Sequence, residues 1–277
     1  MALEVENSDP YPTRAGDESG YTAAMELLAV FGFLVTVLVG SYIQAVAGFA
    51  MGMILVAMIG GLRLLDVPTM GAVVSLLTIL NVLMALRGQV GQVHRHLFFW
   101  LAVGQVPAIF LGFTVMNYLQ GNTRLLLELC LGLFIFFGGL SMYLKPHPWP
   151  QISGRGKTWL TGLCGGLVGG MFSASGPVLG WFGYNQPLPL AQIRATLLAS
   201  FLLTTFTRTI YVGVDGGLTG EVARAVLLGL PVVVIGTWLG RNFAPPVDEQ
   251  TLKRWAYVLL LVMGTWILGS VGWRVFL

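Results

Sequence analysis

Apolar residues fill the chain in eight blocks of near-bilayer length, separated by short polar stretches. The blocks are Glu26–Gly60, Val67–Leu86, Leu97–Tyr118, Thr123–Leu144, Thr158–Tyr184, Pro189–Val214, Glu221–Phe243 and Glu249–Phe276. A transmembrane helix needs about 20 consecutive apolar residues, so the pattern predicts an all-α, polytopic membrane protein of about eight spans. The first block is too long for one crossing. Its 35 residues would rise about 52 Å as a straight helix, against an apolar core of about 30 Å.

Two blocks are rich in glycine at mid-span. Gly40-Ser-Tyr-Ile-Gln-Ala-Val-Ala-Gly-Phe-Ala-Met-Gly52 lies in the first, and Gly162-Leu-Cys-Gly-Gly-Leu-Val-Gly-Gly-Met-Phe-Ser-Ala-Ser-Gly-Pro177 in the fifth. Pro177 removes a helical hydrogen bond and clashes with the preceding turn. Both stretches are therefore candidates for broken or re-entrant helices. Each freed backbone group in lipid costs several kcal/mol unless it meets a partner, so such breaks survive where they line a cavity. Close helix packing on glycine is the alternative.

Between the fourth and fifth blocks, Lys145-Pro-His-Pro-Trp-Pro-Gln-Ile-Ser-Gly-Arg-Gly-Lys157 is too rich in proline and glycine to be helical throughout. It reads as a linker, 145–157, between a first repeat, 26–144, and a second, 158–277. The acidic first 25 residues have neither the basic start nor the apolar core of a signal peptide and are expected to be a disordered tail.

The halves match each other. A shift of 121 residues places Gly48 on Gly169, Pro68 on Pro189 and Arg87 on Arg208, a shift of 124 places Pro107 on Pro231 and Gly112 on Gly236, and a shift of 126 places Gly138 on Gly264. Duplicated halves are characteristic of secondary transporters. Counting four spans per half makes the repeats parallel, with both termini and the linker on one side; a re-entrant hairpin would change that parity.

Composition agrees with the membrane reading: 56% of residues are hydrophobic and 10% charged, against about 25% charged in ordinary globular chains. The net charge of +3 comes from basic residues scattered near block ends, a pattern for lipid headgroups rather than nucleic acid. Cys130 and Cys164 lie inside apolar blocks and make no disulfide framework. No nucleotide loop, zinc signature or Ser/His/Asp set is present, so neither a cofactor nor an enzymatic activity is expected.

The polar residues inside the spans are the candidates for chemistry. Arg208 sits a turn or two inside its helix end and reads either as a snorkelling cation or as an anion ligand, the latter strengthened by the repeat-matched Arg87. Arg194 is 14 residues earlier on the same span. At about 100° and 1.5 Å per residue the two share a face but stand about 21 Å apart, so they can serve opposite mouths of one path and not one small anion. Gln44, Ser173 and Ser175 put neutral donors on the glycine-rich stretches. Glu128 follows Arg124 by four residues and reads as a surface pair, though it is the best acidic candidate for proton coupling.

These stretches carry a resemblance. Gln44-Ala-Val-Ala-Gly-Phe49, Gly165-Gly-Leu-Val-Gly-Gly-Met-Phe-Ser-Ala-Ser-Gly-Pro177 and Arg194-Ala-Thr-Leu197, in a duplicated eight-span chain, resemble the sulfite exporter TauE/SafE family. The resemblance implies ion-gradient-driven export of sulfite, a sulfonate or a related organic anion across a bacterial inner membrane. It places Gln44, Gly48, Ser175, Gly176, Pro177 and Arg194 on cavity-facing stretches. The first half lacks a Ser-Gly-Pro counterpart, so a symmetric site is not expected. The partners this reading implies are a small anion, membrane lipid and further copies of the chain; an anion channel, or a transporter of non-sulfur carboxylates, is the second reading.

Overall fold

The computed structural model describes residues 15–62, 64–144, 148–243 and 249–276. Ten α-helices occur among them: α1 Ala15–Ala47, α2 Met51–Gly61, α3 Val67–Leu86, α4 Arg95–Asn122, α5 Arg124–Tyr143, α6 Arg155–Phe172, α7 Gly176–Tyr184, α8 Leu190–Val214, α9 Gly220–Asn242 and α10 Glu249–Phe276. Seven are long and apolar enough to cross a membrane; the other three, α2, α6 and α7, are parts of the two glycine-rich spans. The chain is a multi-pass helical membrane protein.

Residues 1–14 of the expected tail lie outside the described residues, and the rest of it opens α1. The linker is shorter than expected, because α6 begins at Arg155. Its residues 148–154 are pinned to the end of α7: the Trp149 N–H donates to the Asn185 carbonyl at 2.7 Å and the Ser153 N–H to Gln186 Oε1 at 2.9 Å.

Both glycine-rich spans are re-entrant hairpins. A Cβ on Gly40 would lie 2.7 Å from Leu55, and one on Gly165 would lie 2.7 Å from Leu179. A straight helix would hold residues so far apart in sequence about 20 Å from each other, so α2 folds back along α1 and α7 along α6. The reversals occur at residues 48–50 and 173–175, where the helical ladder stops. Ala50 (φ 100°) and Ser173 (φ 59°) are the non-glycine residues with left-handed backbone among those described, one in each break. Such conformations cost about 1–3 kcal/mol and persist where the surroundings impose them.

Helix directions follow from paired positions. Leu101, Gln105 and Ile109 of α4 meet Gly162, Gly166 and Gly170 of α6, so these helices run parallel, as do α1 and α9 through Ser41 against Gly236 and Ala45 against Gly240. The equivalent pairs run oppositely: Gly132 and Gly139 of α5 meet Leu268 and Leu260 of α10, and Gly71 and Ser75 near the start of α3 lie against Arg208 near the end of α8. The two halves are thus inverted. The parallel count fails because each hairpin adds a reversal that hydropathy alone does not reveal. The linker consequently lies opposite the end of α10, which is held to the start of α5 by the Arg274–Glu128 ion pair.

The helix starts are locally encoded. Asp66 Oδ2 accepts from the Thr69 N–H ahead of Pro68, and Thr219 Oγ1 accepts from the Val222 N–H with Glu221 in the first turn of α9. Pro107 and Pro231 occupy interior positions of α4 and α9, equivalent helices in the two halves.

Candidate functional site

The two hairpin breaks meet. A Cβ on Gly52, in the first turn of α2, would fall 2.7 Å from the Ser173 carbonyl in the other break. Around this contact lies a cavity of about 20 Å³, lined by Gln44, Ala50, Gly52, Met53, Thr78, Ser173, Ala174, Ser175, Gly176, Phe201 and Thr205. Thr78 and Phe201 stand near the middle of α3 and α8, which places the cavity midway across the spans.

The donors converging there are neutral. Helices α2 and α7 begin at the cavity, so their first-turn N–H groups lack intrahelical partners and carry the positive ends of their dipoles. Gln44 Oε1 accepts from the Met51 N–H at 2.9 Å and so closes the first break. Its Nε2 donor, on a residue 2% exposed, has no partner, and neither has Thr78 Oγ1, on a residue 3% exposed. Buried polar atoms are normally satisfied, and these two line the same cavity. An oxyanion, which only accepts, fits such a donor set.

Arg208 stands one layer behind. It is fully buried, and it is the buried charged side chain among the described residues. Its Nε donates to the Gly170 carbonyl at 2.9 Å, Nη1 reaches Ser75 Oγ at 3.4 Å and Nη2 reaches Met116 Sδ at 3.4 Å. Ser75 Oγ lies 2.7 Å from Ser173 Oγ, and Ser173 lines the cavity. The guanidinium therefore reaches the site through two hydroxyls and not by direct contact.

Arg194 takes a similar part at the other break: Nη2 donates to the Ala45 carbonyl at 3.0 Å, and its side chain packs against Gly48, whose φ is +78°. Gly48 bends the chain out of α1; neither residue lines the cavity.

Of the residues singled out from sequence, Gln44, Ser173, Ser175 and Gly176 are brought together, with Arg208 behind them. Two are elsewhere. Arg87 is exposed at the end of α3, its carbonyl accepting from Arg241, because α3 stops at Leu86 while α8 continues six residues beyond the matched Arg208. Glu128 pairs with Arg124 and Arg274 where α5 meets α10. The match of Gly48 to Gly169 also shifts: Gly40 with Gly165, Leu55 with Leu179 and Gly52 with Gly176 are the equivalent positions. Sequence reasoning missed Ser75, Thr78 and Gly52. A shift of 124 applied across the break would have found Gly52, since it lands on Gly176.

The comparisons with known proteins agree with this architecture. A family model described as "Sulfite exporter TauE/SafE" matches residues 32–267. A protein of Cupriavidus necator named "Probable sulfite/organosulfonate exporter TauE" is 39% identical over 238 residues, covering 86% of this chain and 93% of that relative. No solved structure matches the chain. The matched family is one of membrane transporters and not of enzymes. With the family model spanning most of the sequence, the chain belongs to the sulfite exporter TauE/SafE family.

Proposed function

We propose that this protein exports sulfite or an organosulfonate across a bacterial inner membrane, binding the anion where the two hairpin breaks meet. The observation that carries the reading is the pair of unsatisfied buried groups, Gln44 Nε2 and Thr78 Oγ1, facing one cavity with the N-terminal ends of α2 and α7. Hydroxyl and amide donors bind an oxyanion without trapping it, as transport requires. Arg208 lowers the electrostatic cost of bringing a negative charge to mid-membrane, acting through Ser75 and Ser173. The substrate class follows the name of the relative from Cupriavidus necator.

A cavity of about 20 Å³ has room for about one water, so an anion of three oxygens enters only when the hairpin tips part. That favours a carrier with an occluded state over an open channel. The test is flux of labelled sulfite and alkyl sulfonates from proteoliposomes bearing the wild type, Ser175→Ala or Gln44→Leu. Loss of one hydrogen bond to a charged partner costs about 1.5–3 kcal/mol, so each variant is expected to bind substrate about 10–100-fold more weakly. Wild-type transport by both folded variants would place the site elsewhere.

A further inference from the structure

The C-terminal ends of α1 and α6 present carbonyls without intrahelical partners and the negative ends of two helix dipoles. In carriers built on broken helices, such ends coordinate the coupling cation. Here a guanidinium already stands at each. Arg194 donates to the Ala45 carbonyl and Arg208 to the Gly170 carbonyl. The two carbonyls are equivalent, since Ala45 lies two residues before the end of α1 and Gly170 two before the end of α6. Both arginines come from α8, which runs past both breaks. The groups facing Arg208 are Gly71 and Ser75 of α3, Phe113 and Met116 of α4 and Gly170 of α6, none of them acidic. No residue lining the cavity carries a titratable carboxylate or imidazole.

We propose that Arg194 and Arg208 are resident counter-cations: they fill the cation positions of both hairpins, so the anion crosses without sodium or a proton and its export is driven by the membrane potential. The inference rests on the function proposed above. Over a complete cycle the arginines return to where they began, and the net charge moved is the anion's own. A potential negative inside pushes that charge outward.

The experiment uses proteoliposomes and an alkyl sulfonate, whose charge does not change with pH. A potassium gradient with valinomycin sets the potential, at equal pH and without sodium. A roughly tenfold potassium gradient is expected to draw a monovalent anion toward about tenfold accumulation on the positive side, because both ions answer to the same potential. Flux that instead requires a pH or sodium gradient at zero potential would overturn the inference and leave the proposed function standing. Absence of flux under every gradient would overturn both. As a second readout, Arg194→Ala is expected to lose flux and to regain it when guanidinium is added, to which the wild type is indifferent. A folded variant that guanidinium does not restore would remove Arg194 from the assignment.

Discussion

Arg208 fits its crevice because position 71 has no side chain: a Cβ there would collide with the guanidinium. Overpacking of this kind costs about 1–3 kcal/mol. Gly71→Ala is therefore expected to lower the melting temperature of the detergent-solubilised protein and to weaken transport together, whereas an unchanged melting curve would mean that Arg208 does not occupy this crevice. The sequence made Arg208 conspicuous as a charge inside a span, yet it gave no sign that Ser75 and Ser173 link it to a cavity. Those contacts join residues 98 and 133 positions apart, and only the packing of α3 against α6 and α8 creates them. Arg87 shows the reverse. Its match to Arg208 under a shift of 121 is not kept in the fold, where Val67 and Leu190, the starts of α3 and α8, are 123 apart and α3 ends at Leu86.

Between elements, the tightest contact is that of α4 with α6, where Gly104, Gly112, Gly162, Gly166 and Gly170 let two backbones touch. Without a hydrophobic force between helices in lipid, close packing of small residues supplies the association. Gly166→Leu would drive a side chain into the Gln105 backbone and is expected to abolish the folded, monodisperse protein on size exclusion. Gly156→Leu, on the same helix but facing open space, is expected to be tolerated. Equal behaviour of the two variants would contradict this interface. The spans and both breaks were legible in hydropathy and in glycine and proline placement. Whether each short helix continued forward or folded back was not, because that is decided by distant contacts such as Gly40 with Leu55.

For the whole molecule, the hairpins invert the halves and fix which loops share a side. The α3–α4 turn, the linker and the start of α8 lie together, held by His94 to Thr196 and by Trp149 to Asn185. The α4–α5 and α8–α9 turns lie on the opposite side, joined by Asn117 to Asp215. Among the described residues, Arg87, Arg95, Arg155, Lys157, Arg194, Arg241 and Arg254 are nearer the linker side, against Arg124, Arg208, Arg224 and Arg274 nearer the other. By the positive-inside rule this excess predicts that the linker side faces the cytoplasm. In a Cys130→Ser, Cys164→Ser background, an impermeant thiol reagent outside the cell should label Gly217→Cys and spare Gly154→Cys; the opposite pattern would reverse the assignment.

The central claim is that the transported anion sits where the hairpin tips meet. In the same cysteine-free background, the rate of alkylation of Ser175→Cys by a small maleimide would be measured in proteoliposomes with and without saturating alkyl sulfonate. Occupancy of the cavity predicts that the sulfonate slows labelling at position 175 several-fold and leaves Gly154→Cys unaffected. Labelling at position 175 that proceeds at the same rate with the substrate present, in a protein that still transports it, would contradict the account.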